Sequence, residues 1–156
     1  MRFFRRGKSK IMILPSVAGD SPTRAELAAG TDISGSIAGV GGFGLTNSPI
    51  ATPDLGTAFN SQIEGEDTVA DSSFTLYDED DATGEALRAL LAKGTEVVVV
   101  LMPYGNVPAK RCEKWPAKSV GFNDQWGMEA AAAQSVAGFA ITETPVQDGV
   151  IPPLAA

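Results

Sequence analysis

Along the chain, apolar residues fall in short runs separated by Gly, Pro, Ser and Asp, the spacing of a strand-rich protein. Ile11-Met12-Ile13-Leu14 stops at Pro15 and predicts a first short strand. Between Asp32 and Phe43, Ile33 and Ile37 stand among serines and small residues, predicting a strand weakened by Gly39, Gly41 and Gly42. Ser73-Phe74-Thr75-Leu76-Tyr77 alternates polar and apolar, the mark of a half-buried strand. Thr95 to Met102 is a β-branched run ended by Pro103, which predicts a central strand covered on both faces. Lys110 to Asn123, interrupted by Pro116 and carrying Trp115, Val120 and Phe122, reads as an edge or bulged strand.

One segment has a helical period. Asp80 or Asp81 caps it, Glu85 suits its positive end, and Leu87, Leu90 and Leu91 form one stripe before Lys93 and the stop at Gly94. The predicted helix is 82–93. Residues 125–142 fit two periods: Glu129 to Gln134 has helix propensity, whereas Ala133, Ser135, Ala137, Phe139 and Ile141 alternate as a strand. Helix or strand for 129–133 stays open. Residues 44–73 hold Pro49, Pro53, Gly56 and Gly65, with Leu45, Ile50, Leu55, Phe59 and Ile63 as scattered apolar positions. A segment that long inside one domain implies a functional loop or an extended hairpin. Pro145, Pro152 and Pro153 make 145–156 an extended C-terminal arm.

The 156 residues suit one domain with a real core, and 17 glycines and 10 prolines argue against a helix bundle. There is no histidine, which removes Ser-His-Asp triads and His-ligated zinc. Cys112 is the single cysteine, expected as a partly buried strand residue and not a nucleophile. No apolar run approaches a membrane span or a signal-peptide core, so the reading is a soluble protein made in a reducing cytoplasm, with no membrane partner.

Charge is asymmetric. Arg2, Arg5, Arg6, Lys8 and Lys10 make the first ten residues a basic arm without an acid. Setting those five aside leaves seven of the 12 bases against all 19 acids, a net charge of −12. A body this acidic repels phosphate and disfavours a DNA reader. The arm suits nucleic acid, an acidic patch on a neighbouring copy, or a solvated tail.

Most chemical motifs fail on context. Gly39-Val40-Gly41-Gly42-Phe43-Gly44 matches a dinucleotide-binding fingerprint, but Leu45-Thr46-Asn47-Ser48-Pro49 cannot open the helix that pyrophosphate requires. Asp78-Glu79-Asp80-Asp81 resembles a calcium loop in charge alone, with Ala82 and Thr83 where a ligand and a glycine are needed, and reads as a helix cap. No P-loop is present, and no catalytic set, metal site or cofactor site is predicted.

The order of elements resembles the major tail protein, or tail tube protein, of long non-contractile-tailed phages, particularly those of actinobacterial hosts. The likeness is carried by Thr31-Asp32-Ile33-Ser34-Gly35, the long polar insertion before Ser73–Tyr77, the helix 82–93 and the strand 95–103. It continues through Glu113-Lys114-Trp115-Pro116-Ala117-Lys118-Ser119-Val120-Gly121 and Phe139-Ala140-Ile141-Thr142. The resemblance implies a mainly β fold of sandwich or barrel type with one flanking α-helix, a long loop or hairpin and extended termini. It further implies a non-enzymatic virion protein that forms hexameric rings stacked into a tube. DNA passes through the lumen without specific binding, and tape measure and tail terminator proteins are further partners. On that reading Ile50, Leu55, Phe59 and Ile63 anchor an inter-ring loop, Glu64, Glu66, Asp67 and Glu96 are lumen candidates, and Arg2, Arg5 and Arg6 contact neighbours. The alternatives are a head–tail connector or capsid decoration protein, and a ligand-binding β-sandwich using Trp115, Trp126 and Tyr104 as an aromatic platform.

Overall fold

The computed structural model describes residues 1–154. Ala155 and Ala156, the end of the expected C-terminal arm, lie outside the described residues. The elements run β1 (Lys10–Leu14), α1 (Arg24–Ala29), β2 (Thr31–Asp32), a 3-10 turn (Ser34–Ser36), β3 (Ile37–Gly41), β4 (Leu45–Ala51) and β5 (Gln62–Val69). They continue with β6 (Ser72–Tyr77), α2 (Ala82–Leu90), β7 (Glu96–Met102), β8 (Arg111–Gln125), β9 (Gln134–Ile141) and β10 (Val146–Val150). One antiparallel sheet has the order β2-β1-β7-β8-β9-β6-β3, with β10 beside β8, and β4 and β5 form a separate hairpin. The fold is mainly β with one principal helix, as the sequence pattern and the resemblance imply.

The continuous run in β7 explains its place. Val97 and Val99 join a cluster with Ile13, Phe74, Leu76, Trp115 and Phe139 on one face, while Val98 and Val100 pack with Leu14, Leu27, Cys112 and Ile151 on the other. Each such side chain taken out of water contributes roughly 1.5–3 kcal/mol. Phe43 stacks on Phe74 at 5.0 Å and meets Trp115 edge-on at 5.6 Å, so an aromatic group fills the centre of the first cluster. Gly42 serves that packing. It adopts φ +79°, and a Cβ there would lie 2.4 Å from the Asp71 carbonyl oxygen, so the turn that inserts Phe43 requires glycine.

Helix α2 lays Leu87 into the same cluster, and Leu91 follows at its end. The Asp81 carboxylate accepts from the Thr83 and Gly84 amides, the cap expected of the acidic run. The helix ends at Leu90, short of the expected Lys93. The Leu91 carbonyl instead accepts the Ser119 hydroxyl at 2.8 Å, and Gly94 donates to the Ser119 carbonyl, tying the exit to β8.

Several expectations need correction. β8 carries the expected bulge, between Ser119 and Gly121, but it is no edge strand from Glu113 to Lys118, where β7 lies on one side and β10 and then β9 on the other. Pro116 is tolerated there because its ring nitrogen faces the gap between β10 and β9, where its carbonyl accepts from Thr142. The strand expected over 32–43 divides into β2, the 3-10 turn and β3. Residues 129–133 form neither helix nor strand, since β9 begins at Gln134. Helix α1, absent from the sequence reading, is closed by a capping box between Thr23 and Glu26, and the backbone amides of Thr23 and Ala18 hold the Glu26 carboxyl below the usual range. The C-terminal segment is extended, but Val146–Val150 lies on the chain's own sheet, Ile151 is buried, and Arg24 donates to the Pro152 and Pro153 carbonyls.

Candidate functional site

Within the segment 44–73, residues 45–69 project as the β4–β5 hairpin, paired from Leu45 opposite Val69 to Ala51 opposite Gln62 and, among the described residues, with no other strand. Beyond Ala51 the pairing continues through Thr52, whose amide donates to the Ser61 carbonyl at 2.8 Å. Pairing fixes this shape where apolar burial does not. Asn47 is the clamp: its side-chain nitrogen donates to the Gly65 carbonyl (2.9 Å) and to Asp67 Oδ1 (2.6 Å), and its side-chain oxygen accepts from the Gly65 amide (3.1 Å).

A bulge lies beside this clamp. Ser48 pairs with Glu66 and Ile50 with Ile63, so β5 carries the extra residue opposite Pro49. A Cβ at Gly65 would sit 1.8 Å from the Ser48 carbonyl oxygen, leaving glycine as the residue that fits. Gly65→Ala is therefore expected to loosen the hairpin while the body melts as before. Limited proteolysis should show faster cleavage within 45–69, and unchanged cleavage would contradict the clamp's role.

The structure brings some of the sequence-predicted residues together. Ile50 and Ile63 face each other across the hairpin at 54% and 55% exposure, whereas Leu55 and Phe59 stand in the tip loop, fully or largely exposed. Glu64 lies in the bulge beside Gly65, Glu66 pairs with Ser48 next to it, and Asp67 is held by Asn47. Glu96 is apart from them, at the start of β7 opposite Lys118. Arg2, Arg5 and Arg6 are exposed on an arm folded against the chain's own turn at 103–106. There Phe3 packs on Tyr104 with ring centres 5.4 Å apart, and the Ser9 hydroxyl donates to the Pro103 carbonyl. The aromatic platform does not form: Trp115 is buried in the core and Trp126 is 91% exposed. Sequence reasoning missed Asn47 and Gly65; the signal was a glycine and a proline inside otherwise strand-like polar runs.

Burial pushes the Cys112 thiol up, so it stays protonated and unreactive. Hydrogen bonds from Arg88 and then Ser135 hold Asp124 below the usual carboxylate range, joining α2 to β8 and β9. Glu113 goes the other way, raised by burial although Arg111 lies 3.9 Å away. A raised folded value means that Glu113 favours the fold most at low pH, and this contribution is lost as pH rises through that value. Glu113→Gln should therefore raise the melting temperature at pH 7, with the gain vanishing below about pH 4, where the carboxyl is neutral in both states. Calorimetry at both pH values checks this.

Solved structures share the fold at low identity. The chain is similar to a chain of the six-fold symmetrised anti-feeding prophage baseplate, at 11% identity and TM-score 0.55, covering 90% of this chain and 93% of that one. It is also similar to a chain of the tail of an empty gene transfer agent particle with C6 symmetry, at 12% identity and TM-score 0.53, covering 90% and 93%. A chain from the virion of a native gene transfer agent particle aligns at 12% identity and TM-score 0.52, covering 88% and 94%. No curated protein matches the sequence. The model of the phage tail tube protein family matches residues 1–153, from the basic arm through the C-terminal segment, and the chain belongs to that family.

Proposed function

We propose that this structural tail protein is the repeating subunit of hexameric rings stacked into the conduit for the phage genome. The observation that carries this reading is the projecting hairpin, which leaves Leu55 and Phe59 largely in water and the facing pair Ile50 and Ile63 about half exposed. Six-fold symmetry in two of the similar assemblies supports ring closure. Burying the exposed apolar residues on the next ring is their physical use. Ring closure also protects sheet edges. No enzymatic step is assigned to the chain. Tape measure and tail terminator proteins are the expected partners inside and at the end of the tube, with assembly in the host cytoplasm.

Acids facing the channel keep the DNA backbone from adhering. Of the lumen candidates Glu64, Glu66, Asp67 and Glu96, the first two lie where a neighbouring copy could pair with them, so Asp67 and Glu96 carry the lumen test: reversing either should slow genome ejection and spare tube assembly. Negative-stain electron microscopy of the full chain over a concentration series tests the assembly itself. Striated tubes with a central channel are expected. Isolated rings that never stack at any concentration would overturn the tube and favour the head–tail connector reading.

A further inference from the structure

The basic N-terminal arm and the acidic β4–β5 hairpin both present exposed charge, and their chemistry is complementary. The arm forms a fixed turn: the Arg5 carbonyl accepts from the Lys8 and Ser9 amides at 3.1 and 2.8 Å, and Gly7 adopts φ +77°. Lys8 lies over the Phe3 ring at 4.8 Å, and a Cβ on Gly105 would come within 2.7 Å of the Lys8 carbonyl oxygen. The turn is thereby pre-organised on the body, with Arg5, Arg6, Lys8 and Lys10 along one wall of a groove of about 910 Å³.

The opposite wall is the end of the sheet. Among the described residues β3 pairs with β6 on one side and with no strand on the other. Ile37, Val40 and Tyr77 line this wall, with Val40 51% exposed. Gly39 and Gly41 carry no side chain, which lets a second backbone approach the free edge. A basic wall, an apolar floor and an open strand edge together suit an acidic extended segment that adds as a strand. The hairpin has that chemistry. Residues 45–69 contain Asp54, Glu64, Glu66 and Asp67 and no base, and they expose Ile63 beside Glu64.

We infer that the groove between the N-terminal arm and β3 is the receptor for the acidic β5 strand of a second copy, with Arg5, Arg6 and Lys8 pairing Glu64 and Glu66. This rests on the reading that the hairpin docks on another subunit, and it names the surface that receives it. Charge pairing selects the partner segment and its register, while strand addition supplies the remaining contact.

Compensating charge reversal on the full chain tests the pairing. Arg5→Glu with Arg6→Glu and Lys8→Glu should lower tube yield at least about tenfold, as should Glu64→Lys with Glu66→Lys. Combining both sets in one chain should restore tubes to near the original yield, because the signs again match. A second readout is oxidative cross-linking. A Lys8→Cys chain mixed with a Glu64→Cys chain should give a disulfide-linked dimer of the two that neither gives alone, buried Cys112 remaining silent. Reversals that leave tube yield unchanged, or a combined variant no better than the single sets together with no mixed dimer, would overturn the pairing. Should hairpin excision abolish tubes while the reversals do not, the inter-ring hairpin stands and this receptor falls. Tubes that survive excision remove the hairpin reading itself.

Discussion

Excision of residues 46–68, with Leu45 joined to Val69 through Asn-Gly, is expected to give a folded monomer that forms no tubes at any concentration. Leu45 and Val69 are cross-strand partners, so their Cα atoms lie roughly 4.5–5.5 Å apart, a gap that a two-residue turn closes. Neither buried cluster contains a residue from 46 to 68, so the cores lose nothing. The shortened connection also lowers the entropy cost of closing the chain, and the melting temperature should stay level or rise slightly. Circular dichroism melts and sedimentation measure the two halves of this expectation. A variant that melts much earlier would show that the hairpin supports the body, and one that polymerises would show that stacking runs through another surface.

Trp115→Ala is expected to have the largest effect on stability, about 3–5 kcal/mol. Trp115 is fully buried, edge-on to Phe43, in the cluster shared by β1, β6, β7, β8 and β9. A domain of this size has about 5–15 kcal/mol in total, so much of the protein would unfold at moderate temperature. Its indole Nε1 finds no hydrogen-bond partner among the described residues. An orphaned buried donor costs about 1–3 kcal/mol, which Trp115→Phe relieves while leaving only a small void. The Phe variant should therefore lose far less than the Ala variant in urea titrations. Equal losses would mean that the indole N–H contributes more than its geometry indicates.

Where burial imposes a period, the elements were legible in the sequence. β7 is covered on both faces and reads as an unbroken apolar run, and β6 alternates because one face meets the aromatic cluster. The hairpin was legible as a segment needing an explanation, but its register was not, because its strands are exposed on both faces and hydrogen bonds from Asn47 set what apolar residues do not. Helix α1 escaped because six residues with one buried leucine leave little periodic signal, although Thr23 and Glu26 spelled its cap. β8 was read as an edge or bulged strand; the bulge is there, while Pro116 is accommodated inside the sheet because it falls in a gap between two partners on the same side, which only the three-dimensional pairing reveals. Of the expected site, sequence found the exposed apolar residues and the acids of the hairpin. It could not separate Glu96 from the other three acids, since strand order alone divides them.

The two ends of the sheet are unequal. One is closed by β2, a strand of two residues, and the other is β3, with its outer edge open for five. With the open edge taking β5 of a second copy, the two surfaces in contact differ, and the contact is heterologous and not two-fold. Addition is then head to tail, and every subunit that joins inherits the orientation of the one before it. A polymer built this way has a direction, with two chemically distinct tips.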